Sequence, residues 1–279
     1  MTVGKTARIL IIAGSDSGGG AGIQADIKTV TMLGGHAMTA ITAITAQNTR
    51  EVSEVFALPL ALVEAQFRAV VDDIGVDAVK IGMLGTAELA NTVRDLLLTL
   101  PRDVPVVFDP VMVATSGGVL AEAGTVGAMR QLLKLATVVT PNLPELETLG
   151  GEAAVLAQAP AMLVKGGHAD GDTIIDRLVT REGEVARWQD TRIETTSTHG
   201  TGCTLASAIA TGLAHGMMLE AAIDRARRFV RAALLAAPGL GGGHGPMGHQ
   251  AVRSLASNAN PSQHVAPSAM GRNQPQSRS

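Results

Sequence analysis

Residues 7–13 form a short apolar run rich in isoleucine and stopped by Gly14, the pattern of a strand buried on both faces of a parallel sheet. Beyond a glycine-rich loop, Ile23, Ile27, Val30 and Leu33 recur at helical spacing. Residues 36–45, rich in Thr and Ile, read as a second strand. Leu62, Val63, Phe67, Val70, Val71 and Ile74 return to helical spacing, and 78–81 is a short strand stopped by Gly82. Thr86 is placed to cap a helix whose Leu89, Val93, Leu96, Leu97 and Leu100 face inward. Strands at 104–108, 137–139 and 161–165 follow, with a helix over roughly 122–135.

Alternating strands and helices require right-handed crossovers and a mostly parallel sheet covered on both faces. The runs 173–180 and 185–193, separated by Arg181-Glu182-Gly183-Glu184, break that rhythm as a hairpin, which predicts an antiparallel edge. Two last helices fall at about 202–215 and 219–236, and Arg225, Arg227, Arg228 and Arg231 read as the solvated side of the second. The expected class is α/β, three layers, with a mostly parallel central sheet and an antiparallel edge hairpin. Residues 239–249 hold six glycines, and 250–279 are rich in Ser, Asn, Gln and Pro. The expected organisation is one domain over 1–249 and a flexible polar tail over 250–279.

Composition narrows the function. Of 279 residues, 22 are Lys or Arg and 25 are Asp or Glu, a net charge of −3 that gives no basic surface for nucleic acid or an anionic membrane. Four Phe, one Trp and no Tyr leave few side chains for base stacking. A single cysteine, Cys203, excludes an internal disulfide and a multi-cysteine metal site. No apolar run approaches the ~18 residues of a membrane helix, so a cytoplasmic protein is expected.

The polar and glycine residues that end the strands gather on one rim, where open parallel sheets bind ligands. They are Gly14-Ser15-Asp16, Gln47-Asn48, Gly82-Met83, Asp109, Asn142 and Gly166-Gly167. Some motif matches lead nowhere. Gly4-Lys5-Thr6 lacks the upstream glycine of a phosphate-binding P-loop. Gly20-Ala21-Gly22-Ile23-Gln24-Ala25 fits a permissive dinucleotide fingerprint, but no acidic residue occurs between Asp26 and Glu51. His244 and His249 have metal-like spacing inside a glycine-rich segment and read as part of the tail.

Thr198-His199-Gly200-Thr201-Gly202-Cys203, just before an apolar helix, can aim backbone N–H groups and a helix dipole at one point, an anion hole. Cys203 would lie in the first helical turn, a position that lowers a thiol's pKa. The alternative is an ordinary tight turn with Cys203 as a small apolar residue. Asn142 and Glu145, three apart, either cap a helix reciprocally or help to position Mg²⁺, and both can hold at once. Asp109 either starts a turn before Pro110 or supports the metal. Lys165 either lies near nucleotide phosphates or pairs with a structural carboxylate.

These residues are similar, in order, to seven motifs of one family. The run from Gly14 to Asp26 (GSDSGGGAGIQAD) resembles the N-terminal signature of the hydroxymethylpyrimidine/phosphomethylpyrimidine kinases of thiamine biosynthesis. Gln47-Asn48-Thr49, Lys80-Ile81-Gly82-Met83-Leu84, Asp109-Pro110-Val111-Met112, Thr140-Pro141-Asn142-Leu143-Pro144-Glu145, Lys165-Gly166-Gly167-His168 and His199-Gly200-Thr201-Gly202-Cys203-Thr204 match after it. The resemblance covers roughly residues 8–246 and implies a ribokinase-like fold, with ATP and Mg²⁺ as cofactors and a small pyrimidine as substrate.

It also implies roles. Gln47 hydrogen-bonds the pyrimidine edge, with Asp26 beside the same pocket and Gly14 in the substrate set, while Met83 and Val111 form apolar walls. Asn142 and Glu145 match the magnesium-and-phosphate motif, with Asp109 in support of the metal. Lys165 and Gly166 lie toward ATP. Gly200, Thr201, Gly202 and Cys203 form the anion hole, with Cys203 as the base for the substrate hydroxymethyl group. The segment between Glu145 and Lys165 is shorter than the family norm by about a helix, and the polar tail is extra. The implied activity is two successive phosphorylations, first of the pyrimidine and then of its monophosphate. The alternatives are a pyridoxine/pyridoxal kinase of the same fold and a non-catalytic protein that keeps the pocket. A homodimer is compatible with an exposed sheet edge.

Overall fold

The structure is a computed structural model that describes residues 6–112, 124–168 and 171–252. The strands are β1 (Arg8–Asp16), β2 (His36–Gln47), β3 (Val52–Ala57), β4 (Ala78–Ile81), β5 (Val106–Phe108), β6 (Val138–Val139), β7 (Ala161–Val164), β8 (Thr173–Thr180) and β9 (Gly183–Thr191). The helices are α1 (Gly22–Met32), α2 (Leu60–Asp73), α3 (Ala87–Leu97), α4 (Thr125–Leu132), α5 (Leu143–Thr148), α6 (Gly151–Leu156), α7 (Thr201–Ala214) and α8 (Leu219–Leu235). The strands form one sheet in the order β3-β2-β1-β4-β5-β6-β7-β8-β9. The β2–β1, β1–β4, β4–β5, β5–β6 and β6–β7 pairs are parallel, and β2–β3, β7–β8 and β8–β9 are antiparallel.

Strand geometry explains the two cores. Successive side chains of β1 point to opposite faces, so Leu10 and Ile12 join Val79, Ile81, Phe108 and Phe67 under α2, α3 and α4. Ile9, Ile11 and Ala13 join Val107, Val138, Ile209 and Phe229 under α1, α7 and α8. Both clusters are closed to water, which is why the central strands read as unbroken apolar runs. The Thr86 side chain caps α3 by accepting from the Leu89 N–H, as its position predicted.

Four expectations need correction. The sheet has an antiparallel strand at each edge, because β3 pairs with β2 at the side opposite the hairpin. Its side chains are almost all exposed, so no apolar periodicity announced it. Arg227 is not on a solvated face. It is 5% exposed and bound to Asp176 and Asp190. His249 is 1% exposed, and its Nε2 lies 2.8 Å from Thr204 Oγ1 on α7. Burial holds that imidazole down at about 4, so it is neutral. Packing therefore continues through Val252, which is buried in the second core. The rest of the expected tail, 253–279, lies outside the described residues. Between Glu145 and Lys165, where the chain is short, α5 and α6 occupy six residues each.

Candidate active site

In the parallel part of the sheet, the carboxyl ends of the strands open into one cavity of about 720 Å³. Gly14, Gln47, Met83, Asp109, Val111, Asn142, Glu145, Lys165, Gly200, Thr201, Gly202 and Cys203 all line it. Two expected residues do not. Gly166 turns away from the lining: a side chain there would meet the Ile175 carbonyl, and its N–H donates to Asp176 at 2.9 Å. Asp26 is completely buried beside the equally buried Lys80, with 2.8 Å between Lys80 Nζ and Asp26 Oδ2. Ser207 donates to the other Asp26 oxygen at 2.7 Å. Ser207 follows Cys203 by four residues on α7, so both share the helix face toward this pair.

The anion hole depends on glycine. Gly200 precedes α7 with φ +82°, a conformation that L side chains rarely adopt, and a Cβ there would run into the Gly20 carbonyl. No side chain caps α7. The Thr201 N–H turns back to the Thr198 carbonyl at 3.4 Å, and the N–H groups of Gly202 and Cys203 remain available to an anion, at the positive end of the helix dipole. The glycine-rich loop before α1 clamps this turn. Asp16 accepts the N–H groups of Gly18 at 2.8 Å, Gly20 at 2.9 Å and Ala21 at 2.8 Å, and lies 2.9 Å from His199 Nε2. The motif that resembled a dinucleotide fingerprint thus fixes the chain around Asp16 and His199.

Electrostatics revises the expectation for Cys203. Its position at the helix start favours thiolate, but enclosure by protein pushes the thiol up to about 11. Lys80 and the Gly22 N–H pull against that, while Asp26 and Asp109 add to it. The free thiol is therefore protonated at neutral pH.

Across the cavity, Lys165 Nζ lies 2.8 Å from Asp109 Oδ1, which also accepts from Thr140 Oγ1 at 3.0 Å. Burial pulls the Lys165 ammonium down, but Asp109 and Glu145 more than reverse this and raise it. Glu145 and Asn142 form a reciprocal cap on α5, the Asn142 N–H donating at 2.8 Å and the Glu145 N–H at 2.9 Å. Burial pushes Glu145 up to about 7, Lys165 offsets part of that, and Asp109 adds to it. A Cβ on Gly202 would sit 3.4 Å from both Asp109 Oδ2 and Lys165 Nζ, so the pair abuts the anion hole. Two neighbouring carboxylates, Glu145 and Asp109, beside N–H groups open to an anion, suit a hard cation. Among the described residues there is no cluster of three or more ligating side chains. The set therefore fits Mg²⁺ held largely through water and phosphate oxygens.

The sequence motifs contained Asp16 and His199 but assigned them no role. The cavity also includes Asp176, Asp190, Arg192 and Arg227, which lie far from the motifs. Arg227 Nε donates to Asp176 Oδ2 at 2.7 Å and its Nη2 to Asp190 Oδ2 at 2.6 Å. The guanidinium also stands 5.6 Å above the Trp188 ring. His244 lies in the lining as well, its Nδ1 3.0 Å from Thr198 Oγ1. That location also removes it from the expected tail.

The family described as phosphomethylpyrimidine kinase matches residues 16–248. The hydroxymethylpyrimidine/phosphomethylpyrimidine kinase of Streptomyces coelicolor is 48% identical over 256 residues, 86% of this chain and 93% of that protein. The Rhizobium meliloti protein of the same name is 46% identical over 261 residues, 88% of this chain and 97% of that one. Among solved structures, the pyridoxal kinase of Staphylococcus aureus aligns with a TM-score of 0.81 at 33% identity, over 90% of this chain and 96% of that chain. A phosphomethylpyrimidine kinase from Clostridium difficile aligns with a TM-score of 0.70 at 36% identity, over 82% and 99%. This chain belongs to the phosphomethylpyrimidine kinase family, and its fold is the ribokinase-like fold of these kinases.

Proposed function

We propose that this kinase transfers the γ-phosphoryl group of ATP to the hydroxymethyl group of 4-amino-5-hydroxymethyl-2-methylpyrimidine, and then a second phosphoryl group to the monophosphate, in thiamine biosynthesis. The observation that carries this reading is one cavity in which an uncapped helix start bearing Cys203 faces Gln47 on one side and Lys165, Asp109 and Glu145 on the other. Met83 and Val111 supply apolar walls and Gln47 an amide for the ring edge. Asn142 and Lys165 lie toward the nucleotide.

Phosphoryl transfer needs little covalent chemistry from the protein and much positioning and charge stabilisation. The N–H groups of Gly202 and Cys203 stabilise charge on the transferred group. The thiolate form of Cys203, a minor fraction at neutral pH that grows as pH rises, accepts the proton of the attacking hydroxyl and becomes the thiol. Lys165 exchanges part of its bond with Asp109 for phosphate oxygens. Glu145 and Asp109 would hold Mg²⁺, which would supply positive charge against the phosphates. No helix among the described residues is long and apolar enough to cross a membrane; a cytoplasmic location is supported by the proposed biosynthetic role. The protein's single domain extends to Val252, the last described residue packed in the core. Phe56 and Val55, exposed on the β3 edge, favour a homodimer.

The likeness to the S. aureus pyridoxal kinase favours a second reading, phosphorylation of a pyridine ring that also bears a hydroxymethyl group. Release of ADP with the pyrimidine, its monophosphate and pyridoxal as separate acceptors distinguishes them. Turnover of both pyrimidines above pyridoxal is the expected result. Turnover of pyridoxal alone contradicts the proposal, and tight binding with no turnover points to a non-catalytic protein.

A further inference from the structure

At the ring side of the cavity, the count of donors and acceptors fixes more than distance. Asp16 takes three backbone N–H groups. Burial pushes its carboxyl up, but His199 and these N–H groups hold it below the usual carboxylate range. An ionised carboxylate only accepts, so His199 Nε2, 2.9 Å from Asp16 Oδ2, carries a proton and donates it. The same nitrogen is 3.3 Å from Gln47 Nε2. A protonated ring nitrogen has no lone pair for an amide N–H, so an amide nitrogen there is a donor facing a donor.

A second conflict sits at the other end of the amide. Thr45 has one hydroxyl proton and two acceptors within reach, the Ser15 carbonyl at 3.0 Å and Gln47 Oε1 at 3.1 Å. Turning the amide by half a turn exchanges its two isosteric ends, removes the donor–donor contact and relieves Thr45. The carbonyl then shares the His199 Nε2–H with Asp16, its nearer acceptor, and the NH₂ donates to Thr45 while Thr45 donates to Ser15. Thr45 is buried, and His199 is 4% exposed, so water has little access to relieve the reverse arrangement.

We propose that Asp16, His199 and Thr45 are positioning residues that lock the Gln47 amide in one orientation, carbonyl toward His199 and NH₂ toward Thr45, and thereby make the site read an amino group beside a bare ring nitrogen. This rests on the pyrimidine reading above. An aminopyrimidine edge presents a donor next to an acceptor, and the locked amide offers the complementary acceptor and donor in fixed order. Replacing the amino group by oxo gives an acceptor next to a ring N–H, which fits only the reversed amide. An amide free to turn would serve both rings. The lock excludes one.

The test compares kcat/KM for the aminopyrimidine and its 4-oxo analogue. The wild type prefers the amino compound by about ten- to hundredfold, the usual discrimination of a good bidentate pair. In His199→Met the preference collapses to near unity while KM for ATP is unchanged, and His199→Gln, whose amide N–H can replace the imidazole donor, restores it. Full preference in a folded His199→Met overturns the proposal. If that variant does not fold, Thr45→Val against Thr45→Ser makes the same comparison at the other end of the amide, with loss expected only in the valine variant. Independently of turnover, ¹⁵N NMR of the ligand-free chain is expected to show His199 protonated at Nε2. A bare Nε2 overturns the lock even if the pyrimidine is the substrate. Failure of the wild type on the pyrimidine with a protonated Nε2 would instead count against the pyrimidine reading.

Discussion

At the proposed ring end of the cavity, Asp16 gathers the N–H groups of Gly18, Gly20 and Ala21 together with His199, and a Cβ on Gly20 would meet the His199 ring while one on Gly200 would meet the Gly20 carbonyl. Toward the proposed nucleotide end, Asp176 and Asp190 on the hairpin are held to α8 by Arg227, with Arg231 also 3.4 Å from Asp190. The first end is built from backbone groups fixed by steric exclusion. The second is built from side-chain charges brought together across the sheet. A backbone-built anion hole is already arranged for charge when substrate arrives, which is where preorganisation matters most for catalysis. A charge-built end concentrates its stability in a few groups, since removing one partner leaves the others buried and unpaired.

The contrast can be broken at several points, in decreasing order of effect. Cys203→Ala should leave KM for the pyrimidine nearly unchanged and lower kcat by about 10²–10⁴, the usual contribution of a general base. With the thiol at about 11, its base form grows as pH rises, so the wild-type rate should climb about tenfold per pH unit from neutral toward alkaline pH. The pH–rate profile of the alanine variant should be flat over that range. An unchanged kcat refutes the base assignment.

Gly200→Ala should act on the same end through the backbone. Its Cβ displaces Gly20 or the helix start, and kcat should fall by about 10²–10³, as on loss of an oxyanion-hole donor. The comparison fails if ring binding and rate both survive. Arg227→Ala tests the other end. Leaving buried Asp176 without its cation, while Asp190 keeps only Arg231, should cost about 3–5 kcal/mol in denaturant unfolding, and because Asp176 also holds the Gly166 N–H, KM for ATP should rise more than KM for the pyrimidine. An equal rise in both would place the damage in the whole fold. Glu145→Gln keeps the size of the α5 cap but removes a charge from the Mg²⁺ site. The Mg²⁺ concentration for half-maximal rate should increase about tenfold or more, and titration with Mg²⁺ at fixed ATP measures it.

How much of this was legible in the sequence follows from the same contrast. The parallel strands and the rim residues at their ends could be read because burial on both faces gives continuous apolar runs, each stopped by glycine or a polar residue. The anion hole could be read because its glycines and helix start are adjacent in the chain. β3 could not, since Val52-Ser53-Glu54-Val55-Phe56-Ala57 buries almost nothing and follows no core period. In sequence Arg227 looks like the half-buried Arg225, Arg228 and Arg231 because its partners Asp176 and Asp190 come from a distant hairpin. Asp16 and His199 were visible as residues but not as a pair, being 183 positions apart. The direction of the Cys203 shift was misread because local position reveals the helix dipole, but not the enclosure that outweighs it.

The most direct measurement is time-resolved ³¹P NMR of the full chain with ATP, Mg²⁺ and the hydroxymethylpyrimidine. The expected result is a ring monophosphate signal that rises first and then gives way to a diphosphate as ADP accumulates. ATP consumed to inorganic phosphate with no ring phosphate, or a ring phosphate formed only when pyridoxal replaces the pyrimidine, would contradict it.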